Sequence, residues 1–336
     1  MLEINRANAR LWSMLGSRAV FGVAILDAMT SVDNVMVLTA DLALSAGLER
    51  FRAAHPDKFL NVGIAEQNMI GVAAGLAKEG FNTFATTFSN FAAARSYEPI
   101  RVHLGYMGLN VKVIGLAGGV ALGLLGHTHC GVEDLALMRA VPGLTVIAPA
   151  DGAEIVKTIY ALVKHQGPVF VRLTGAANNP VVYTNDYNFE IGKAVRLRTG
   201  ADVGIFACGT MVHESLIAAN ELESYGISVS VINMHTLKPL DTDAIDEACS
   251  SVSLLATVEE HSIVGGLGGA IAEHTCRRGG APRQIFIGLP DAPVHYGDYN
   301  QLLRKYGLTG KQIAYSLRKA LEGRALDSEN NLLFAN

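Results

Sequence analysis

The chain has 336 residues, enough for about two domains of ordinary size, and its net charge of −4 offers no basic field for nucleic acid. Half its residues are hydrophobic and only 17% are charged, a balance that predicts surface covered by a partner. Four scattered cysteines (Cys130, Cys208, Cys249, Cys276), with no Cys-x-x-Cys pair, point to ordinary thiols in a reduced, cytoplasmic chain.

The first 18 residues mix Asn, Arg and Glu with Leu11, Trp12, Met14 and Leu15, so no secretory apolar core is expected. Helical spacing follows over 18–28, then a strand over 34–39 and a polar connector over 45–57. The stretch 59–77 opens as a short strand, breaks at Gly63 and resumes as a helix carrying Ala65, Met69, Val72, Ala73 and Leu76. Gly71 and Gly75 thin that helix for close backbone approach. Glu66 stands at its mouth, where a lone acid is ordinarily explained by the helix dipole. Strands are expected over 83–87, 110–116, 144–148 and 168–173. Helices are expected over 88–106 despite Pro99, over 132–140, and over 151–164 with Asp151 as N-cap. The most apolar run, 113–126, is 14 residues long with five glycines, short of the roughly 20 a membrane span needs.

The alternation stops over 174–189 and then resumes. Strands are predicted over 203–207, 228–233, 254–259 and 284–289, with helices over 211–225, 241–250, from about 265, and over 310–321. The expected fold is α/β, with two domains (16–175 and 191–322), each a mostly parallel sheet flanked by helices. An N-terminal extension (1–15), a linker (176–190) and a polar tail (323–336) complete the division.

The glycine-rich segments 204–209 and 265–269 lack the strand, G-x-G-x-x-G, helix and acid of a dinucleotide site. Gly126-His-Thr-His-Cys130 has no second ligand cluster at zinc spacing, and no nucleophile elbow supports a hydrolase. What remains is Glu66, the pair Phe88 and Phe91, the pair His127 and His129, and Arg18 and Arg172 near element ends. Aromatics three apart on a first helical turn can wall a flat ring, and an arginine fork binds phosphate or carboxylate bidentately. Each also has a plainer explanation: Phe88 and Phe91 as core, Arg172 as a surface charge or structural ion pair.

Asn61-Val-Gly-Ile-Ala-Glu66-Gln resembles the segment opening the key helix of the pyrimidine-binding domain in transketolase-type thiamine diphosphate enzymes. The resemblance continues through Thr87-Phe88-Ser-Asn-Phe91, Thr128-His129, 135–142 with Arg139, and Pro149-Ala-Asp151. In the second half it is carried by Ile191-Gly-Lys, Gly209-Thr-Met-Val, Thr236-Leu-Lys-Pro-Leu240 and Val258-Glu-Glu-His261. It implies the thiamine diphosphate pyrimidine-binding fold followed by the transketolase C-terminal-domain fold. It further implies that Glu66 hydrogen-bonds the cofactor's aminopyrimidine, that Phe88 and Phe91 wall that ring, and that Asp41 lies near the cofactor. Arg18, Ser45 and Arg172 match residues holding a sugar phosphate, and His129 a histidine at the substrate's first hydroxyls.

There are departures. Leu125 stands where the family usually carries an Asp that bonds a substrate hydroxyl, and Ala117 where a substrate histidine is common. His127 either supplies a new substrate contact or merely fills a tolerant loop position. The family's N-terminal Gly-Asp-Gly signature for Mg²⁺ and diphosphate is missing; Gly297-Asp298 continues with Tyr299. The resemblance therefore implies the C-terminal subunit of a split transketolase, moving a two-carbon ketol unit between sugar phosphates. A separately encoded N-terminal subunit would bind Mg²⁺, in a dimer of heterodimers with no nucleic-acid or membrane partner. Two alternatives stay open: the β subunit of a 2-oxoacid dehydrogenase-like or carrier-protein transfer enzyme, and a non-catalytic regulatory subunit.

Overall fold

Strand residues that are apolar or Thr at nearly every position must be covered on both faces, and the central strands of this chain are built that way. The computed structural model describes residues 1–175 and 177–323. Ala176 of the expected linker, and the expected tail beyond Gly323, lie outside the described residues. The first sheet contains β1 (Val35–Thr39), β2 (Phe59–Asn61), β3 (Asn82–Phe88), β4 (Val111–Gly118), β5 (Thr145–Ile147) and β6 (Val169–Thr174). These six are parallel, in the order β5-β6-β4-β3-β1-β2. Every residue of β1, β4 and β6 is buried.

On one face lie α1 (Arg6–Leu15), α2 (Ser17–Ala28), α3 (Glu49–Ala54) and α7 (Gly152–Leu162), sharing one core that includes Trp12, Phe21, Ile25, Phe51, Ile155 and Ile159. On the other lie α4 (Glu66–Lys78) and α6 (Asp134–Ala140), whose Met69, Ile70, Leu135 and Met138 belong to a second core. The helix expected over 88–106 forms as two π-helical stretches, Phe91–Arg95 and Ile100–Tyr106, around one α-turn, α5 (Tyr97–Pro99). Pro99 has no N–H to offer the Arg95 carbonyl, which accepts from the Gln67 amide nitrogen of α4 at 3.0 Å instead.

The second sheet holds β7 (Val195–Arg198), β8 (Val203–Ala207), β9 (Val229–Asn233), β11 (Leu254–Ser262) and β12 (Arg283–Leu289), in the order β12-β11-β8-β9-β7. Only β7 runs antiparallel. Its helices are α8 (Met211–Glu223), α9 (Thr242–Ser251), α10 (Leu267–Arg278), α11 (Tyr299–Lys305) and α12 (Gly310–Leu321). One short strand crosses between the halves: β10 (Thr236–Lys238) pairs antiparallel with β5 at the edge of the first sheet. The segment joining the halves is clamped by two acids of the 151–162 region. Asp151 caps α7 through the Glu154 N–H and accepts from the Val182 and Tyr183 N–H groups at 2.7 and 2.8 Å. Glu154 accepts from the Tyr187 hydroxyl and the Asn233 amide. Among the described residues no helix is long and apolar enough to cross a membrane.

Candidate active site

The carboxyl ends of β1, β2 and β3 meet at one place, and the turns leaving them build the site. Asn61, at the end of β2, locks two of those turns. Its side-chain oxygen accepts from the N–H groups of Asp41 (3.1 Å) and Gly63 (3.0 Å), and its amide nitrogen donates to the Asp41 carboxylate (2.9 Å). Asp41 and Gly63 both take left-handed backbone, with φ of 61° and 74°. The exposed Asp41 is thus fixed beside the turn that launches α4. Asn61 lies within the family motif, yet nothing in the sequence assigns it this part.

Glu66 is the first residue of α4 and is only 4% exposed. Its Oε1 accepts from Arg95 Nη1 at 2.9 Å, and among the described residues no donor reaches Oε2. Arg95, 29 residues away, supplies a half-exposed cation that the local sequence around Glu66 does not announce. The Arg95 guanidinium also lies 4.2 Å over the Phe91 ring, a cation–π contact that ties acid and aromatic together. Phe91 meets Phe88 edge-on at 5.9 Å, and His129 meets both, at 5.3 and 6.2 Å. Three rings thus form a cup beside a buried carboxylate, a fit for a flat, basic heterocycle.

Arg18 and Ser45 lie on elements that pack together. A Cβ on Gly22 of α2 would lie 2.2 Å from the Gly47 carbonyl, so the helix bearing Arg18 packs against the loop bearing Ser45. The first turn of α2 has no acid and no side-chain cap, the adjacent Ser17 hydroxyl is buried without a partner, and Arg18 has no carboxylate partner among the described residues. Apart from the Ser17 hydroxyl, which is sealed from solvent, that helix end leaves Arg18 and first-turn N–H groups for an anion.

Arg172, expected to hold a substrate phosphate, lies instead at the seam with the second half of the chain, with much of its fork paired inside the protein. It is 1% exposed, and Nε and Nη2 are the paired atoms. Nε donates to both Asp134 oxygens at 2.9 Å, and Nη2 donates to the carbonyls of Gly131 (2.7 Å) and Glu260 (2.8 Å). Burial pulls the guanidinium's pKa down, but Asp134 and Glu260 outweigh that and hold it above its ordinary value. Asp134 also accepts from the hydroxyl of Ser89, between the two ring-bearing residues, at 2.5 Å. The Glu260 carboxylate, pushed up by burial, accepts from Val120 N–H (2.8 Å), the Thr210 hydroxyl (2.7 Å) and the Tyr299 hydroxyl (2.8 Å). Burial pushes neighbouring His261 down to about 4.

His127 is exposed, and its Nδ1 accepts from the Val294 N–H at 3.2 Å. Leu124 and Leu125 project into solvent at 60% and 56% exposure. Ala117 is buried at φ 55°, so this position presents no side chain to a substrate. Among the described residues no group of three or more His, Cys, Asp or Glu converges as a metal site.

Residues 13–179 match the transketolase pyrimidine-binding domain, and residues 192–313 the transketolase C-terminal domain. The chain is 39% identical over 293 residues to the 6-deoxy-6-sulfo-D-fructose transketolase subunit of Clostridium sp. (strain MSTE9), covering 86% of this chain and 89% of that one. It is 37% identical over 297 residues to an apulose-4-phosphate transketolase subunit of Phocaeicola vulgatus, covering 88% and 94%. A solved structure described as split gene transketolase, inactive beta4 tetramer, superposes with a TM-score of 0.83 at 38% identity, over 92% of this chain and 99% of that one.

Proposed function

The chain belongs to the transketolase family, and from that premise we propose that it is the catalytic C-terminal subunit of a split, cytoplasmic enzyme that moves a two-carbon ketol unit from a ketose phosphate or sulfonate to an aldose acceptor. The observation that carries this is the buried Glu66 at the mouth of α4, beside the cup of Phe88, Phe91 and His129. The family's two domains imply thiamine diphosphate, and the residues present fit it. The chemistry it supplies when bound is a nucleophilic carbon that carries the ketol unit.

Glu66 would hold a proton at the pyrimidine ring nitrogen, its Oε2 being unpaired among the described residues while Arg95 fixes Oε1. Phe88 and Phe91 flank that ring and exclude water. Asp41, held by Asn61, would help hold the cofactor. His129 orients the substrate's first hydroxyls, and exposed His127, on the same loop, is assigned to the substrate with it. With Nε and Nη2 of Arg172 paired internally, the substrate's anion is assigned mainly to Arg18, Ser45 and the end of α2.

Mg²⁺ and the diphosphate fall to a separately encoded N-terminal subunit, in a dimer of heterodimers. Exposed apolar residues surround the site: Leu44 (81%), Leu60 (38%) and Ile64 (78%) flank Asp41 and Glu66, as an unfilled interface would. Gly71 and Gly75 lie on the exposed face of α4, with nothing within 4 Å of an added Cβ. The relative described as an inactive beta4 tetramer is in keeping with a subunit that needs a different partner.

The test is turnover of fructose and xylulose phosphates and 6-deoxy-6-sulfo-D-fructose, with an aldose phosphate acceptor, by this chain alone and mixed with the N-terminal subunit. Ketol transfer is expected from the mixture only. Equal turnover by the single chain contradicts the split site; turnover of 2-oxoacids instead of ketoses contradicts the substrate class.

A further inference from the structure

The loop carrying both histidines belongs to the first half of the chain but is held by the second. It closes on itself at a neck where Gly119 and Gly131 exchange backbone hydrogen bonds at 2.8 and 3.1 Å. Between those points, Val120 N–H donates to Glu260 Oε1, the Gly123 carbonyl accepts from Gly297 N–H (3.2 Å), and His127 Nδ1 accepts from Val294 N–H (3.2 Å). At the neck, Arg172 joins the Gly131 carbonyl to that of Glu260, and through Asp134 reaches Ser89 of the aromatic wall. The neck is glycine because the network leaves no room for a side chain. A Cβ on Gly119 would sit 2.1 Å from Glu260 Oε1, and one on Gly118 would sit 2.7 Å from Arg172 Nε. On its inner side the same loop places His129 against Phe88 and Phe91, and Asn90 donates to the Thr128 carbonyl at 2.8 Å.

We propose that Glu260, with Arg172 and Tyr299, is a positioning residue through which the second domain sets the place of His129 relative to the aromatic cup. The inference rests on the reading of this chain as a ketol-transferring subunit. Glu260 and Arg172 are each only 1% exposed. Each of the three acts by holding the loop neck, so loss of one displaces His129 without removing any group that binds cofactor. A misplacement of about 1 Å in such a constellation costs up to roughly 100-fold in rate.

The test uses Glu260→Gln, Arg172→Lys and Tyr299→Phe, alone and combined with His129→Ala, each coexpressed with the N-terminal subunit. Thermal midpoint, thiamine diphosphate Kd, KM and kcat are read with whichever donor the wild-type complex turns over fastest. Glu260→Gln and Arg172→Lys are expected to lower kcat about 10- to 100-fold, with cofactor Kd within about threefold of wild type. Tyr299→Phe, which buries no new charge and removes one donor to Glu260, is expected to lower kcat about threefold and stands in should the others fail to fold. In the His129→Ala background the same changes are expected to cost under about twofold, because the residue they position is gone. The proposal is overturned if folded variants keep wild-type kcat, if kcat falls only in step with thermal midpoint and cofactor affinity, or if the losses are equal with and without His129. A wild-type complex that transfers no ketol unit overturns the underlying reading as well; an active complex with unmoved variants overturns this inference alone.

Discussion

Glu66→Gln in the assembled enzyme is expected to lower kcat by about 100-fold or more while leaving the fold intact. Glutamine keeps the volume of the side chain, and its carbonyl oxygen still accepts from Arg95, which reaches Oε1 at 2.9 Å. It cannot hold or share a proton, so the ring nitrogen of the pyrimidine loses its acid partner. Because Arg95 is 47% exposed, water takes over much of its solvation, and the lost ion pair costs about 1 kcal/mol or less. A large kinetic effect with a small thermal shift separates a catalytic carboxylate from one that merely favours a helix dipole. Steady-state kinetics and a thermal melt of the same preparation check it; wild-type kcat would remove Glu66 from the chemistry.

Gly119→Ala is expected to destabilise the chain by about 3–5 kcal/mol, read as a lower urea midpoint. Two costs add. A non-glycine residue at φ 73° pays roughly 1–2 kcal/mol in backbone strain. The new Cβ, 2.1 Å from Glu260 Oε1, would also displace a buried carboxylate that accepts from Val120, Thr210 and Tyr299. Gly71 is the control: it lies mid-helix in open space, so alanine there leaves the isolated chain as stable as wild type or about 1 kcal/mol more so. A Gly119→Ala chain as stable as wild type would mean that the neck of the histidine loop is slack.

The alternation of strands and helices was legible because both sheets are mostly parallel and their strands are continuous apolar runs. Glu66, Phe88, Phe91 and His129 could be picked out because each lies in a short contiguous motif, and the structure brings them together. The internal pairing of Arg172 was not legible, for a physical reason. At the end of a strand, an arginine free for phosphate and one buried in a pair look alike, and its partners Asp134 and Glu260 lie 38 and 88 residues away. Arg95 escaped notice for the same reason. The short β10 was invisible as a strand because its three residues gain their partner only when the second half docks on β5. Helix α1 falls in a stretch that reads as a mixed polar extension; Trp12 gives it an anchor, seated where a Cβ on Gly152 would be 2.6 Å from its own.

Calorimetric titration of thiamine diphosphate, with Mg²⁺ present, into this chain, into the N-terminal subunit and into their mixture tests the shared site most directly. Saturable binding of one cofactor per pair is expected in the mixture, with much weaker binding to either chain alone. Binding to the isolated chain as tight as to the mixture would contradict a cofactor site divided between two subunits.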